Sequence, residues 1–330
     1  MINKDIAILG AGSWGTALAL YLARQGQTVR IWSIDTSEIE AMLLEKAHHR
    51  YLPGIPLPDS IHPHRNLAET VKEVDDILVV VPSIGFRQTL TLVKPFLHPR
   101  TRIICATKGI DAETGQLLNQ VADDVIGQHP YAVLSGPSFA REVAAGLPAA
   151  VVIASRDAQF LSELKQRFHS DIFAIHPSHD IIGVEVGGVV KNVIAIATGI
   201  ADGLGLGTNT RSALITLGLA EITQLGSKLG GKAETFLGLS GLGDLILTCS
   251  DDQSRNRRLG LHLGKGASIS QAETEIGQVI EGKRNAELVA QLAKQHDVHM
   301  PICEMVWRVV SGDIEVKAGE IRKMILGLLG

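Results

Sequence analysis

The chain has 330 residues, of which 45% are hydrophobic and 20% are charged. It contains 31 lysines and arginines and 35 aspartates and glutamates, so the formal net charge is only −4. This length and composition predict two folded domains and exclude a disordered chain. A charge so close to balance provides no general attraction to nucleic acid or to an anionic membrane.

The cysteines and the apolar stretches indicate the compartment. Cys105, Cys249 and Cys303 lie far apart and show no C-x-x-C spacing, which argues against a disulfide framework and a zinc site. The N-terminal sequence MINKDIAILG lacks the features of a signal peptide. Glu185 and Lys191 interrupt the longest apolar stretch, so a membrane span is not expected. These features predict a soluble cytoplasmic protein.

Short runs of Ile, Val and Leu without polar alternation recur in the first half of the chain. They predict strands at residues 5–9, 28–32, 77–81, 102–106, 132–134, 149–154 and 172–175. Helical segments, including 16–25 and 114–125, separate several of these strands. The alternation predicts a Rossmann-type α/β fold, with a mostly parallel sheet and helices on both faces.

The pattern changes near residue 178. From residue 180 onward, apolar residues recur at helical spacing, over 180–201, 210–229, 285–296, 301–312 and 316–328. The sequence therefore predicts an α/β domain over residues 1–178 and an all-α domain over residues 179–330.

The first strand is followed by the glycine-rich sequence GAGSWG at residues 10–15, which also opens a helix. In this context Gly10 allows a tight turn, Gly12 lets a pyrophosphate approach the backbone, and Gly15 lets the helix pack against the strand. The N-terminus of the helix then stabilises the phosphate charge. The turn predicts a dinucleotide site, although flavin and nicotinamide dinucleotides both bind to such turns.

Asp35 and Tyr51, which follow the second strand, are ambiguous on their own. Asp35 lies 20 residues after Gly15, where an acid can accept hydrogen bonds from an NAD ribose or cap a helix. Tyr51, in a proline-rich loop, could stack on a nucleotide ring or be an ordinary surface tyrosine. His48 and its neighbour His49 have no carboxylate or cysteine spaced to complete a site, so no metal is expected.

Small or polar residues follow three of the predicted strands, in the sequences VVPS (80–83), CATKG (105–109) and SGPSFA (135–140). An open α/β sheet binds ligands where parallel strands end. Lys108 could there meet a phosphate or carboxylate, or simply be exposed.

Lys191 lies in the middle of the apolar helix predicted over 183–197. Val186, Val190 and Val193 belong to its buried face, and the Gly187–Gly188 pair suggests that another backbone or a ligand approaches closely. The lysine either extends to water along that helix or acts as a proton donor.

Further polar sequences follow. A glycine-rich turn ends in Asp244, with Thr248 one helical turn later. Ser254 could cap a helix whose first residues, Arg255 and Asn256, present donors suited to a phosphate monoester. The alternative for that segment is a solvated basic face balanced by aspartates. The last sequence, residues 277–282, is a short apolar loop that contains Glu281.

Taken together, these sequences resemble the bacterial-type NAD(P)-dependent glycerol-3-phosphate dehydrogenases over the whole chain. The resemblance depends on GAGSWGTALA, YLPGIPLP, ATKG, SGPSFA, GGVVKNVIA, GLSGLGDLILTC, SRNRRLG and GQVIEG, in that order. It implies a Rossmann domain that binds NAD or NADP and a helical domain that binds the substrate.

The resemblance also implies roles for individual residues. Lys191 would transfer the proton, assisted by Lys108 as a second cation and by Asp244, which would hold the amine. The implied substrate contacts are Lys108, Gly136, Ser138, Lys191, Asp244, Ser254, Arg255 and Asn256. The cofactor contacts implied by the glycine-rich turn and by the resemblance are Gly10, Gly12, Ser13, Trp14, Gly15, Asp35, Tyr51, Lys108, Ala140, Arg255, Val279 and Glu281.

The implied reaction interconverts sn-glycerol 3-phosphate and dihydroxyacetone phosphate and supplies glycerol 3-phosphate for phospholipid synthesis. Ile34 departs from the family pattern, because many members have His or Arg there to meet the 2′-phosphate of NADP. The preference between NAD and NADP therefore stays open. A β-hydroxyacid or phosphogluconate-type dehydrogenase and a non-catalytic nucleotide sensor are the alternatives. The apolar C-terminal helices favour a homodimer.

Overall fold

The computed structural model describes residues 5–314 and 318–328. The chain folds into two compact units. The first unit comprises the residues up to Thr107 and Leu118–Ile181, and the second comprises Lys108–Leu117 and the residues from Ile182 onward. The domain boundary between residues 178 and 179 stays a prediction. The segment 108–117 belongs to the second unit because it packs with that unit, although it lies within the first half of the sequence.

The first unit contains one eight-stranded sheet. Its strands are β1 (Asp5–Leu9), β2 (Thr28–Trp32), β3 (Ile61–Pro63), β4 (Asp76–Val79), β5 (Arg102–Cys105), β6 (Tyr131–Ser135), β7 (Ala149–Ser155) and β8 (Phe173–Ser178). They lie in the order β3-β2-β1-β4-β5-β6-β7-β8. Only the β6–β7 pair is antiparallel among the paired strands described.

This order confirms the predicted Rossmann-type fold. Strand order reverses between β1 and β4, which both pair with their neighbours in parallel, and such a reversal point is where open α/β sheets bind ligands. Strand β3 was not predicted, because its sequence Ile-His-Pro is too short to show a pattern and ends in proline.

Seven helices cover the sheet in the part of the first unit that the structure describes. They are α1 (Ser13–Arg24), α2 (Thr36–Glu45), α3 (Leu67–Val71), α4 (Phe86–Val93), α5 (Leu118–Ile126), α6 (Ala140–Ala145) and α7 (Ala158–Phe168). The helix predicted over 114–125 was wrong at its start. The backbone before Leu118 closes a turn in which Asp111 N donates to Gln116 O at 3.0 Å, and Gly115 has φ +72°.

Apart from the segment Lys108–Leu117, every regular element of the second unit among its described residues is a helix, which confirms the predicted all-α class. Its helices are α8 (Ile181–Gly203), α9 (Gly207–Lys228), α10 (Ala233–Leu237), α11 (Asp244–Ser250), α12 (Arg255–Gly264), α13 (Ile269–Ile276), α14 (Glu281–Gln295), α15 (Pro301–Val310) and α16 (Ala318–Leu328). A π-helical turn, Leu239–Gly243, precedes α11. Periodicity predicted none of the helices α10 to α13, because short helices carry too few turns to show it, and the start of α12 was expected only from the Ser254 cap. The start of the helix predicted over 316–328 lies outside the described residues.

Helix α8 forms the centre of the second core. The predicted apolar face is buried, with Val186, Val190 and Val193 at most 2% exposed, and the opposite side is buried as well. By length and composition alone α8 could cross a membrane, but 94% of its most apolar 18-residue stretch is buried within the protein, as in any central core helix.

Candidate active site

The glycine-rich turn after β1 has the geometry of a dinucleotide-binding turn. Gly10 has φ +119°, and a Cβ atom there would overlap the backbone of Val80, the residue just after β4. A Cβ atom on Gly15 would overlap the carbonyl oxygen of Gly10. These two glycines are therefore required by the packing of the turn against the sheet and of α1 against the turn.

Gly12 differs from its neighbours, because a Cβ atom there would meet no atom of the described residues within 4 Å, apart from the adjacent residues in the chain. The protein itself does not require glycine at this position, so the absence of a side chain leaves room for a ligand. Gly12 is the N-cap of the 12-residue helix α1, and Ser13 and Trp14 are its first residues. The N–H groups and the dipole at this end of a helix favour a phosphate.

The end of β2 carries two carboxylates. Asp35 caps α2, and its Oδ1 accepts hydrogen bonds from Ser37 N at 3.0 Å and from Ser37 Oγ at 2.6 Å. These bonds lower the pKa of Asp35, and the bond from the Ser37 hydroxyl has the larger effect. Ser33 Oγ donates to Glu38 at 2.8 Å, and Ile34 is 62% exposed. The capping role of Asp35 is thus observed, while ribose binding stays a prediction.

Other predicted site residues of the first unit lie in its loops or, for Ala140, at the start of a helix. The centroid of the Tyr51 ring lies 4.9 Å from that of the His48 ring. The Arg50 guanidinium lies 5.3 Å from the same Tyr51 centroid. Ala140 begins α6, and Ser138 Oγ donates to Gly136 O at 3.0 Å. Their roles stay predictions.

Lys108 packs with the helical unit although it follows β5 in the chain. The segment 108–117 is closed by a bridge between Ile110 and Leu117, and both side chains are buried in the core around α8. The Nζ atom of Lys108 binds Asp244 Oδ2 at 2.7 Å, and the lysine side chain is 21% exposed. Lys108 is therefore not the solvated strand-end lysine that the sequence left open.

Lys191 lies in the middle of α8 and is 5% exposed. Its Nζ donates to Asp244 Oδ1 at 2.6 Å and to Thr248 Oγ1 at 2.7 Å, and Thr248 donates in turn to the Asp244 carbonyl at 2.6 Å. We call Lys191, Asp244, Lys108 and Thr248 the lysine cluster. Because Lys191 is buried and paired, it does not extend to water.

Two features of the backbone fix this cluster. Asp244 is the first residue of α11, and Thr248 lies one turn later on the same face. A Cβ atom on Gly187 would lie 2.7 Å from Ser240 O, so the π-helical turn before α11 contacts α8 directly. The predicted close approach of another backbone at Gly187 is confirmed, and it brings Asp244 to Lys191.

Burial and the charges of the cluster determine the pKa values of Lys191 and Asp244. Burial, aided by repulsion from Lys108, lowers the pKa of Lys191 to about 8, and Asp244 opposes this shift. Burial alone would raise the pKa of Asp244, but Lys108 and Lys191 together lower it. At neutral pH the cluster thus has two ammonium groups on one carboxylate, with the Lys191 pKa close enough to 7 for proton transfer in either direction.

The predicted phosphate-binding residues lie at the N-terminus of α12. Ser254 is the N-cap, and its Oγ accepts from Arg257 N at 3.2 Å, as predicted. Arg255 is partly buried. Asn256 Nδ2 donates to Asn192 Oδ1 at 2.9 Å, and Asn256 Oδ1 accepts from Gly282 N at 2.8 Å. This segment is therefore anchored to α8 and α14 and is not a freely solvated basic face.

The loop predicted over 277–282 is shorter in the structure. Gly277 ends α13 with φ +63°, and Glu281 already begins α14, so the expectation of a loop at Glu281 was wrong. Val279, between the two helices, is 53% exposed.

Two participants in the cluster and its surroundings had no predicted role. Thr248 was noted only because it lies four residues after Asp244, and this spacing, which places both on one face of a helix, was the signal in the sequence for its role. Asn192 follows Lys191 directly, and its contact with Asn256 joins residues 64 apart in the sequence.

A Rossmann-type sheet with a dinucleotide-binding turn, joined to helices that enclose a lysine of lowered pKa, defines the class of nicotinamide-dependent dehydrogenases. Within that class, the chain belongs to the NAD-dependent glycerol-3-phosphate dehydrogenase family. The family profile of the N-terminus matches residues 5–161, and that of the C-terminus matches residues 180–319.

Individual relatives agree with this assignment. The chain is 50% identical, over 92% of its length and 92% of the relative, to glycerol-3-phosphate dehydrogenase [NAD(P)+] of Tolumonas auensis. It is similar to the crystal structure of glycerol-3-phosphate dehydrogenase from Coxiella burnetii, with a TM-score of 0.95, 48% identity and 98% of each chain covered. The structure of glycerol-3-phosphate dehydrogenase from Saccharomyces cerevisiae is also similar to this chain, with a TM-score of 0.81, 26% identity, and 97% of this chain and 99% of that chain covered.

Proposed function

We propose that this chain is an NAD(P)-dependent sn-glycerol-3-phosphate dehydrogenase that interconverts dihydroxyacetone phosphate and sn-glycerol 3-phosphate. The observation that carries the proposal is the lysine cluster, a buried ammonium of lowered pKa held by Asp244 and Thr248. The names of relatives at 50% identity support the substrate. The product would supply glycerol 3-phosphate for phospholipid synthesis.

The first unit fits a dinucleotide, because the Gly12 position is open and adjoins the N-terminus of α1. We assign as cofactor contacts Gly10, Gly12, Ser13, Trp14, Gly15, Asp35, Tyr51 and Ala140 from the first unit and Lys108, Arg255, Val279 and Glu281 from the second. When bound, the nicotinamide ring supplies the hydride to the substrate ketone or takes it from the alcohol.

Lys191 serves as the proton donor and acceptor in this proposal. Reduction of a ketone produces an alkoxide, which needs a proton as it forms. The ammonium has three donors, and Asp244 and Thr248 use two of them, so the third can bind the substrate oxygen. In the reverse direction the neutral amine accepts the proton from the alcohol.

Asp244 and Lys108 support this role in different ways. Asp244 fixes the amine, and Lys108 keeps its pKa low by repulsion. Without Lys108, the single ion pair with Asp244 would hold the proton on Lys191 more tightly. The cluster therefore balances attachment of the amine against release of its proton.

The substrate phosphate would bind at the N-terminus of α12, through Arg255 and Asn256 with the Ser254 hydroxyl. Binding at this non-reacting end orients the reacting carbon. The assigned substrate contacts are Lys108, Gly136, Ser138, Lys191, Asp244, Ser254, Arg255 and Asn256.

The end of β2 bears on the choice of coenzyme. Ile34 is 62% exposed and uncharged, and Asp35 and Glu38 are carboxylates, of which Glu38 lies 3.9 Å from Arg50. Carboxylates favour a ribose 2′-hydroxyl over a 2′-phosphate. We infer that the chain uses NADH at least as well as NADPH.

We also infer a cytoplasmic location and a homodimer. All three cysteines lie in the described residues, where they are buried and not joined by disulfides, which suits a reducing compartment. Exposed apolar side chains on the helical unit, Leu217, Leu237, Ile246 and Leu326, favour self-association. Light scattering on the purified chain would test the dimer.

The test of the proposed function is a substrate screen that follows nicotinamide absorbance. We expect turnover of dihydroxyacetone phosphate with NADH or NADPH, and of sn-glycerol 3-phosphate with the oxidised coenzymes. β-Hydroxyacids and 6-phosphogluconate serve as comparison substrates. Turnover of one of these without turnover of dihydroxyacetone phosphate would contradict the proposal.

A further inference from the structure

Helices α8 and α12 are in direct backbone contact. A Cβ atom on Gly199, Gly203, Gly260 or Gly264 would overlap or crowd a carbonyl oxygen of the other helix. Gly199 lies against Arg257 O and Gly203 against Leu261 O, so the two helices run in the same direction along this contact. No side chain separates them, and their distance therefore cannot vary much.

One ion pair ties the first turn of α12 to the last turn of α8. Arg257 is 7% exposed, and its Nη1 binds Asp202 Oδ2 at 2.5 Å. Its Nε binds Asp252 Oδ1 at 2.9 Å, in the segment just before α12. Asp202 Oδ2 also binds Arg211 Nη1 of α9 at 2.7 Å. The guanidinium thus connects α12 both to its own leading segment and to α8.

The same two helices carry the two ends of the proposed substrate site. Lys191 lies in α8, next to Asn192, and Asn192 Oδ1 accepts from Asn256 Nδ2 at 2.9 Å. Asn256 and Arg255 are the first residues of α12, directly before Arg257. The separation of the amine from the phosphate-binding turn is therefore set by how α12 is seated on α8. A three-carbon phosphate is too short to adapt to a change in that separation.

We propose that Arg257 and Asp202 are positioning residues that hold the phosphate-binding turn of α12 at a fixed distance from Lys191. This inference rests on the proposed function, since it concerns the phosphate of that substrate. Neither side chain binds the substrate in this account. The backbone contact limits the distance between α12 and α8. The Arg257–Asp202 ion pair fixes the rotation of the first turn of α12 and its position along the axis of α8.

The deciding variants are Asp202→Asn and Arg257→Lys. Asparagine removes the charge at nearly constant shape, and lysine keeps a cation but cannot reproduce the planar contact of the guanidinium with Asp202. Displacement of a binding group by about 1 Å can cost about 100-fold in rate. We expect kcat/KM for dihydroxyacetone phosphate to fall by about tenfold or more, mainly through KM.

Three readouts separate positioning from a general loss of structure. The KM for NADH should change far less than that for dihydroxyacetone phosphate, because Arg255 is the one assigned cofactor contact in the displaced turn. The rate with dihydroxyacetone, which has no phosphate, should be unchanged. The inhibition constant of inorganic phosphate against dihydroxyacetone phosphate should rise with the substrate KM. If Asp202→Asn does not fold, Arg257→Lys provides the same comparison with a cation still in place.

The matched controls are Arg211→Gln and Asp252→Asn. Each removes one ion pair of the same network but leaves the Arg257–Asp202 pair, so the substrate KM should stay within about twofold of the unsubstituted chain. Two results would overturn the positioning role. One is an equal loss of kcat/KM with dihydroxyacetone and with dihydroxyacetone phosphate, and the other is an unchanged KM for dihydroxyacetone phosphate in Arg257→Lys. Failure of the unsubstituted chain to reduce dihydroxyacetone phosphate would instead contradict the proposed function.

Discussion

Lys191 Nζ lies 2.6 Å from Asp244 Oδ1, and both side chains are buried in the helical unit. Lys108 binds the other oxygen of the same carboxylate at 2.7 Å. The cluster therefore has one more positive charge than negative charge in a region from which water is largely excluded. This excess, added to the cost of burial, makes the Lys191 proton easier to release than that of an ordinary lysine.

Replacement of Lys191 by alanine should abolish most turnover. Loss of a positioned general acid typically costs about 10²- to 10⁴-fold in rate. Nicotinamide binding, followed by NADH fluorescence, should stay nearly intact, since the glycine-rich turn lies in the other unit. Loss of NADH binding together with turnover would count against the proton-transfer role.

The two directions of the reaction should depend on pH in opposite ways. The pKa of Lys191 is about 8, and ketone reduction needs its protonated form. Reduction should slow as pH rises through about 8, whereas alcohol oxidation should accelerate over the same interval, because the neutral amine is then the base. Initial rates at saturating coenzyme from about pH 6 to about pH 10 provide the measurement. Parallel profiles in both directions would exclude Lys191 as the titrating group.

Thr248→Val should shift that profile. The Thr248 hydroxyl accepts a hydrogen bond from the Lys191 ammonium at 2.7 Å, which stabilises the charged form. Without it the Lys191 pKa should fall further, so the reduction rate should decline at lower pH. Thr248→Ser is the control, since serine keeps the hydroxyl and should restore the original midpoint. An unshifted midpoint in the valine variant would show that this bond does not hold the amine.

Gly12→Ala should separate cofactor binding from folding. A methyl group at Gly12 meets no atom within 4 Å in the part of the chain that the structure describes, its chain neighbours aside, so the thermal unfolding midpoint should be nearly unchanged. It would occupy the space left for a pyrophosphate, and the KM for NADH should rise by about tenfold or more. Gly15→Ala is the contrast, because its methyl group overlaps Gly10 O and should lower stability. Unimpaired NADH binding in Gly12→Ala would place the dinucleotide elsewhere.

Ile34→Arg should shift coenzyme preference toward NADPH. Ile34 is 62% exposed, so the change should alter stability by less than about 0.5 kcal/mol. A guanidinium there could pair with a 2′-phosphate, which the uncharged isoleucine cannot do. The ratio of kcat/KM for NADPH to that for NADH should increase by about tenfold, with Ile34→Gln as the uncharged control. An equal change in both variants would show that charge at this position does not select the coenzyme.

Local sequence patterns were sufficient to predict many of the structural elements of this protein. Strand β1, the turn of Gly10 and Gly12, and helix α8 each depend on residues close together in the sequence, because hydrogen bonding and side-chain periodicity within such segments are local. The Ser254 cap was likewise visible from its own neighbours. The fold class followed from the alternation of such segments, since few arrangements bury continuous apolar strands.

The tertiary structure alone decided which polar groups meet. Lys108 and Asp244 are 136 residues apart and Lys191 and Asp244 are 53 apart, and no local pattern relates them. Their meeting depends on the contact of Gly187 with Ser240 O and on the packing of segment 108–117 into the helical core. The lowered pKa of Lys191 is a consequence of that packing, because desolvation and the charge of Lys108 act only once the side chains are enclosed together.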